Sequence, residues 1–207
     1  MKKTVNNLKF DVSKLQKEVL IGLILGDAHL EKSLNGFSYR IKIEQSEKKE
    51  EYIYHLYSIF KDWTASAPKK NRNNIYFQSR YSNTLLFYGN QFYKNKKKIV
   101  PKIIYKFLTP ISIAYWYMDD GSIKSKQSKG VFFNTQGFSY KETTLLSNVL
   151  KKKFKLETSL RKQKKGYQIY VSGYSYEILF NLIYPYLIES MKYKFPLPRK
   201  KKAIRFD

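Results

Sequence analysis

Two aspartates 93 residues apart each close an apolar stretch of the chain. LIGLILGDA at 20–28 carries Asp27, and IAYWYMDDG at 113–121 carries Asp120. Each stretch reads as a buried helix ending at its acid. A carboxylate there lies in the negative end of the helix macrodipole. Two such helices side by side bring two acids together, and like charges at close range resist joint ionisation. A bound divalent cation relieves both penalties. The chain bears a net charge of +24, from 40 Lys and Arg against 16 Asp and Glu. An anionic partner is therefore expected, and nucleic acid fits the charge and the aromatic content. Metal-holding acids pressed against phosphate backbones describe hydrolysis of phosphodiester bonds, one acid to each strand.

Composition narrows the chemistry further. There is no cysteine, which excludes disulfides and thiolate-held zinc. His29 and His55 are the only histidines, too few for a histidine-built nuclease centre, so carboxylates must hold the metal. The longest apolar runs, 19–25 and 111–118, fall far short of the roughly 20 residues that cross a bilayer. No secretory signal and no membrane partner are expected.

The elements that position the acids occur twice. Shifting the sequence by 93 residues lays 76–93 over 169–186 with six identities, among them Ser79 on Ser172, Ser82 on Ser175 and Leu86 on Leu179. Each copy reads as a helix to the acid, an alternating strand (39–45; 131–136), a helix (49–63; 141–154), a basic hairpin (69–74; 161–166), then a strand and a helix. The fold class is α+β: two αββαββα subdomains spanning 15–100 and 101–198. Basic extensions at 1–14 and 199–207 are expected to be loosely ordered. Two copies in one chain predict a monomer.

Alternation in the first sheet turns Ile41 and Ile43 toward the helices, and Arg40, Lys42, Glu44, Tyr76, Gln78 and Arg80 toward the other face. Arg40, Lys42, Gln78, Arg80, Gln168 and Tyr170 are candidates for base edges, with Tyr76 beside them. Lys69, Lys70, Arg72, Arg161, Lys162, Lys164 and Lys165 are candidates for phosphates. His29, two residues past Asp27, reads as a turn residue rather than a base.

The stretch LTPISIAYWYMDDG at 108–121, with NTQGF at 134–138, YPYLI at 184–188 and MKYK at 191–194, resembles the LAGLIDADG homing endonucleases, in the single-chain, two-motif type that mitochondrial introns encode. The resemblance runs from about Leu15 to Pro198 and implies the rest. The motif helices meet at a pseudo-two-fold axis, with Gly22 and Ala114 allowing close approach beside the bulky Tyr115 and Trp116. Saddle-shaped antiparallel sheets enter the major groove, and the acids lie over the minor groove. Cleavage of a long non-palindromic duplex site then leaves 3′ overhangs. Asp27 and Asp120 hold Mg²⁺, with Mn²⁺ as substitute and Ca²⁺ permitting binding without cutting. Gly26 and Asp119, each just before an acid, join the metal positions, although the asymmetry of the pair points Asp119 toward a structural hydrogen bond. Lys98 and Lys194 are implied as active-site lysines that polarise water or offset charge. Gln45 and Gln136 are implied as strand-end residues beside the metals. A maturase role on the chain's own intron RNA and a DNA-binding protein without cutting are the alternatives.

Overall fold

The computed structural model describes residues 9–196, so most of each expected basic extension lies outside the described residues. The part of the N-terminal one that is described is fixed, contrary to expectation. Phe10 is buried and stacks on Trp63 at 5.0 Å, its backbone N donates to Thr84 Oγ1, and Ser13 caps the first helix. An aromatic that finds a core slot outweighs a basic composition.

The first half runs α1 (Lys14–Leu25), β1 (His29–Lys32), β2 (Tyr39–Ser46), α2 (Glu50–Phe60), β3 (Lys69–Asn71), β4 (Asn74–Gln78) and α3 (Leu86–Phe92). A small hairpin, β5 (Tyr93–Lys94) with β6 (Lys97–Lys98), and the short α4 (Ile104–Phe107) lead into the second half. That half runs α5 (Pro110–Asp120), β7 (Gly121–Ile123), β8 (Val131–Phe133), α6 (Tyr140–Phe154), β9 (Thr158–Gln163), β10 (Gly166–Val171) and α7 (Tyr176–Ile183). Both halves are αββαββα. Their antiparallel sheets share one topology, β1-β2-β4-β3 and β7-β8-β10-β9.

Local signals start the helices. Ser13 with Gln16, Thr109 with Ser112, and Ser139 with Glu142 form reciprocal capping boxes, and Pro110 opens α5. From Val19 to Leu25 in α1 and from Ser112 to Asp119 in α5 every residue is buried. Helices apolar all round belong in the interior, and these two pack along each other at the seam between the halves. Gly22 makes the contact possible. A Cβ there would overlap the Ser112 carbonyl oxygen and lie 2.9 Å from Tyr115 Cβ. The bulky side chains turn away from the crossing. Trp116 packs on Phe133 of β8 at 4.4 Å, and the Tyr115 hydroxyl meets His55 Nε2 of α2 at 2.7 Å. Each sheet buries one face under its helices through Ile41, Ile43 and Phe77, and through Phe133, Ile169 and Val171.

Several boundaries differ from the sequence reading. The strand expected over 131–136 stops at Phe133: Asn134 N makes one more rung to the Asp120 carbonyl at 2.9 Å, and the chain then turns, with Phe138 N bonding the Thr135 carbonyl at 3.0 Å. The helix expected over 49–63 is α2 plus a terminal turn, Lys61–Trp63. The residue pairing of the repeat also shifts. Ser82 and Ser172, not Ser175, cap the turns before α3 and α7, an offset of 90 rather than 93. Phe77 and Ile169, the partners of Ile43 and Phe133 in the two sheets, are offset by 92. Loop lengths differ between the copies, so one constant shift cannot align them.

Gly22→Val should destabilise the protein by about 1–3 kcal/mol, because the seam is closed by backbone that cannot yield. Denaturant unfolding against wild type measures it, and an unchanged midpoint would mean the helices are not in tight contact.

Candidate active site

The turn after α1 and the last turn of α5 meet at one end of the seam. Asp119 ties them together: its Oδ2 accepts from the backbone N of Asp27 at 3.0 Å, and its Oδ1 from the Tyr52 hydroxyl at 2.9 Å. Gly26 leaves room for that carboxyl, since a Cβ there would collide with it. Asp119 is thus a buried strut between the halves, with each of its carboxylate oxygens accepting one of these bonds.

Charge accumulates at this point. Burial first, and then the Asp27 charge, push the Asp119 carboxyl up to about 8. The same two causes in the same order push Asp120 up to about 7. Asp119 and Asp120 are thus held away from water beside the charge of the exposed Asp27. Two lysines oppose it in matching positions. Lys98 Nζ, on β6, donates to the Gly26 and Ala28 carbonyls at 2.7 and 3.0 Å. Lys194 Nζ, at the end of the turn Glu189–Lys194, donates to the Met118 and Asp119 carbonyls at 2.6 and 2.7 Å. Each lysine caps the negative end of one seam helix. Burial lowers both ammonium pKa values, Lys194 to about 8 with Lys49 adding to the effect. At Gly26 and Asp119, both named among the metal positions, the main-chain carbonyls accept these ammonium groups.

The two acids are supported differently. Asp27 Oδ2 accepts from Gln45 Nε2 at 2.6 Å, and Lys49 Nζ donates to Gln45 Oε1 at 2.8 Å. Gln136 does not play that part for Asp120. Counted from the matching pairs Ile43–Phe77 and Phe133–Ile169, Thr135 takes the register position of Gln45 and donates to the Tyr167 carbonyl, while the Gln136 backbone packs against Gly166. The residue beside the second acid is Asn134. Its Nδ2 donates to the Asp120 carbonyl at 2.7 Å, and its Oδ1 accepts from Gln168 Nε2. Sequence reasoning missed Lys49, Asn134 and Tyr52; the spacing of Lys49 four residues after Gln45 was the available signal. His29 opens β1 instead of sitting in a turn, its Nδ1 3.3 Å from the Tyr93 hydroxyl.

The donors suit a hard divalent cation. They are carboxylate oxygens, with no group of three or more His, Cys, Asp or Glu side chains among the described residues that could form a closed cage. A cation that keeps waters and takes phosphate oxygens as its remaining ligands matches such an open set.

The polar sheet faces flank this point. In the first half Arg40 pairs with Glu31 at 2.6 Å and lies over the Tyr81 ring, while Lys42 pairs with Glu44 at 2.8 Å and lies over Tyr76. Gln78 is half-buried opposite Lys42. Arg80 leaves that face: the strand breaks at Ser79, and the Arg80 guanidinium turns back to the Asp62 carbonyl at 2.9 Å. Tyr81 takes its place beside Arg40. In the second half Arg161 and Lys124 both lie over Tyr170, next to Phe132, and Gln168 is opposite Arg161. Lys69, Arg72, Lys162, Lys164 and Lys165 are exposed on the hairpins. Lys70 is exposed too, but Glu47 at 2.6 Å and Glu50 at 3.4 Å already pair with it.

Paired helices ending in coupled acids, each flanked by a half-buried lysine and a basic sheet, define a two-centred site for phosphodiester chemistry. Residues 17–179 match the LAGLIDADG DNA endonuclease family, and the chain belongs to that family. It is 34% identical to a probable intron-encoded endonuclease 1 of Wickerhamomyces canadensis, over 88% of this chain and 84% of that one. It is 31% identical to the cytochrome b mRNA maturase bI2 of Saccharomyces cerevisiae, over 93% of this chain but half of that protein. The fold superposes on the homing endonuclease I-WcaI bound to its DNA recognition sequence with a TM-score of 0.85 and 31% identity, covering 92% and 90% of the two chains.

The raised carboxyl pKa values set a pH dependence for the metal-free protein. A carboxyl whose native pKa exceeds its unfolded value favours the fold most at low pH. That advantage shrinks as pH rises from the unfolded value of 3.8 through the native values near 7 and 8. Urea unfolding in EDTA should therefore show stability falling across pH 5 to 8, by on the order of 1 kcal/mol per unit. Asp119→Asn should flatten the upper part of the slope. Stability that rises through this window would mean the acids are not buried together.

Proposed function

We propose that this chain is a monomeric, site-specific homing endonuclease that hydrolyses one phosphodiester in each strand of a long, non-palindromic DNA duplex, with Mg²⁺ as its metal, leaving 3′ overhangs. The observation that carries this reading is the meeting of Asp27 and Asp120 at the seam, joined through Asp119 and neutralised by Lys98 and Lys194. Each half, 15–100 and 101–198, engages one half-site through its sheet. The sheets differ in side chains, so the halves of the target differ in sequence.

Asp27 and Asp120 would hold the divalent metal. When bound it lowers the pKa of an attacking water and stabilises the leaving oxygen. The chain's own residues position and balance charge. Gln45 fixes the orientation of the Asp27 carboxylate, and Lys49 fixes the amide of Gln45 so that its NH₂ faces the acid. Asn134 and Gln168 hold the main chain at Asp120. Lys98 and Lys194, with ammonium groups already half-desolvated and anchored, supply fixed positive charge where the transition state gains negative charge. The exposed lysines of the hairpins neutralise phosphates and carry no sequence information, whereas Arg40, Lys42, Gln78 and Gln168 read base edges. Arg161, a phosphate candidate by sequence, joins them in this reading because it lies over Tyr170 opposite Gln168.

A second reading accompanies the first. Action on the chain's own intron RNA is supported by the likeness to the yeast maturase, of which this chain spans half the length. Mitochondrial expression belongs to the same proposal, supported by the yeast intron-encoded relatives.

Asp27→Asn or Asp120→Asn should abolish linearisation of a plasmid bearing the target in Mg²⁺ while leaving binding in Ca²⁺ within a few-fold of wild type. A variant that still linearises at the wild-type rate would remove that acid from the metal. Binding should weaken steeply with salt, by roughly 10³-fold or more between 50 and 200 mM if six or more phosphates are contacted. A flat salt response would remove the phosphate contacts.

A further inference from the structure

The hairpin joining β1 to β2 ends in a tip that the site described above does not use. Leu34 is 110% exposed and Phe37 is 69% exposed, two large apolar side chains three residues apart on one tip. The tip is firmly built. Ser33 N bonds the Ser38 carbonyl at 2.9 Å, Gly36 N bonds the Ser33 carbonyl at 2.9 Å, and Gly36 takes a φ of +79°. Asn35 Oδ1 accepts from Ser33 Oγ at 2.6 Å and from Phe37 N at 3.1 Å, and Ser38 Oγ donates to Ser33 Oγ at 2.9 Å. A loop this well bonded presents its apolar side chains with their ordering cost already met before binding.

The corresponding loop of the other half, between β7 and β8, has no such side chains. It carries Lys124, Lys126 and Lys129, with serines and a glutamine between them. The two arms of the molecule therefore end in opposite chemistry. Both tips continue the hairpins whose strands carry the polar faces. Arg40 and Lys42 stand on β2, a few residues from Leu34 and Phe37. A duplex lying along that face runs on to the tip.

We propose that Leu34 and Phe37 read thymine methyl groups at the outer end of the half-site held by the first half. This rests on the endonuclease reading and extends it to a specificity determinant. The major-groove edge of a duplex offers one apolar group, the thymine C5 methyl, and apolar side chains are its complement. Position follows from the strand. Leu34 is seven residues beyond Asp27, about 23 Å of extended chain at 3.3 Å per residue. At 3.4 Å per base pair that places the methyls roughly six to eight pairs from the cut in that half. The lysine tip of the second half meets phosphate instead, so its outer positions tolerate base changes.

Thymine-to-deoxyuridine replacement isolates the methyl, because the two bases differ by that group alone. The target is first enriched from a random duplex library by the full chain in Ca²⁺. Each thymine is then replaced in turn and binding measured. With wild type, one or two replacements in the predicted window should weaken binding about three- to fivefold each, the scale of one buried methyl. Leu34→Ser with Phe37→Ser should remove that difference while keeping the response to replacements elsewhere. The inference is overturned if the window is insensitive, or if the double variant still distinguishes the two bases. It is also overturned if sedimentation finds that wild type dimerises through the tip and the variant does not. A protein that enriches no target at all sinks the endonuclease reading as well. One that enriches a target yet ignores the methyl sinks the tip assignment alone.

Discussion

The structure depends on the forced proximity of two carboxylates at the end of a helix seam. Packing that creates the proximity is apolar and tight, with Gly22 removing the one side chain that would hold the helices apart. Burial then makes ionisation of Asp120, and of Asp119 beside it, costly, because each loses water and each feels the Asp27 charge. An uncompensated buried charge costs several kcal/mol, far more than a surface pair contributes. The chain answers with Lys98 and Lys194, placed on helix-end carbonyls rather than on the acids themselves. That placement matters. A lysine bonded directly to Asp27 or Asp120 would compete with a metal for the same oxygens. On the carbonyls it offsets the helix dipoles and leaves the carboxylates available.

Pseudo-symmetry stops at the acids. The Asp27 carboxylate is clamped through Gln45 to Lys49, whereas on the Asp120 side Asn134 bonds the Asp120 main-chain carbonyl and Gln168 bonds the Asn134 side chain. The cause is local: β2 continues past its acid's partner to Ser46, while β8 stops at Phe133. At the register position of Gln45 the second half carries Thr135, whose hydroxyl bonds the Tyr167 carbonyl and not the acid. Two halves with one topology can therefore present two unequal half-sites. The arms differ in the same way, with ion pairs between neighbouring side chains on the first sheet and a cluster of Phe132, Tyr170 and cations on the second.

Much of this was legible in the sequence, for reasons that particular residues make plain. Asp27 and Asp120 stood out because an acid at the end of an apolar helix is costly, and finding the cost twice implies a use. Lys98 and Lys194 came from the family resemblance, and composition alone would have left them among 40 cations. Arg80 was misplaced because alternation assumes an unbroken strand. Ser79 breaks it, its hydroxyl oxygen accepting the Ile41 amide and its proton going to the Arg80 carbonyl. Gln136 was misplaced because the chain turns at Thr135, whose carbonyl accepts from Phe138 N, so alternation does not carry on to Gln136. Lys49 was hidden in the run EKKEE at 47–51, which reads as a solvated helix start. The N-terminal segment was read from its charge, and Phe10 was the residue that decided it.

The contrast between an apolar seam and a basic exterior also explains why recognition and cutting can be coupled without a hinge. β1 begins at His29, directly after the turn that holds Asp27. β7 begins at Gly121, directly after Asp120. No flexible linker separates the arms that face the duplex from the acids. Ladder bonds and helix packing transmit the position of one to the other, and a packed core resists continuous deformation. A duplex seated on both sheets thus fixes where its backbone meets the acids. A duplex that seats on one sheet only leaves its other strand unplaced. Rigidity between sheet and seam, more than any single contact, is what ties the position of each acid to the sheet of its own half.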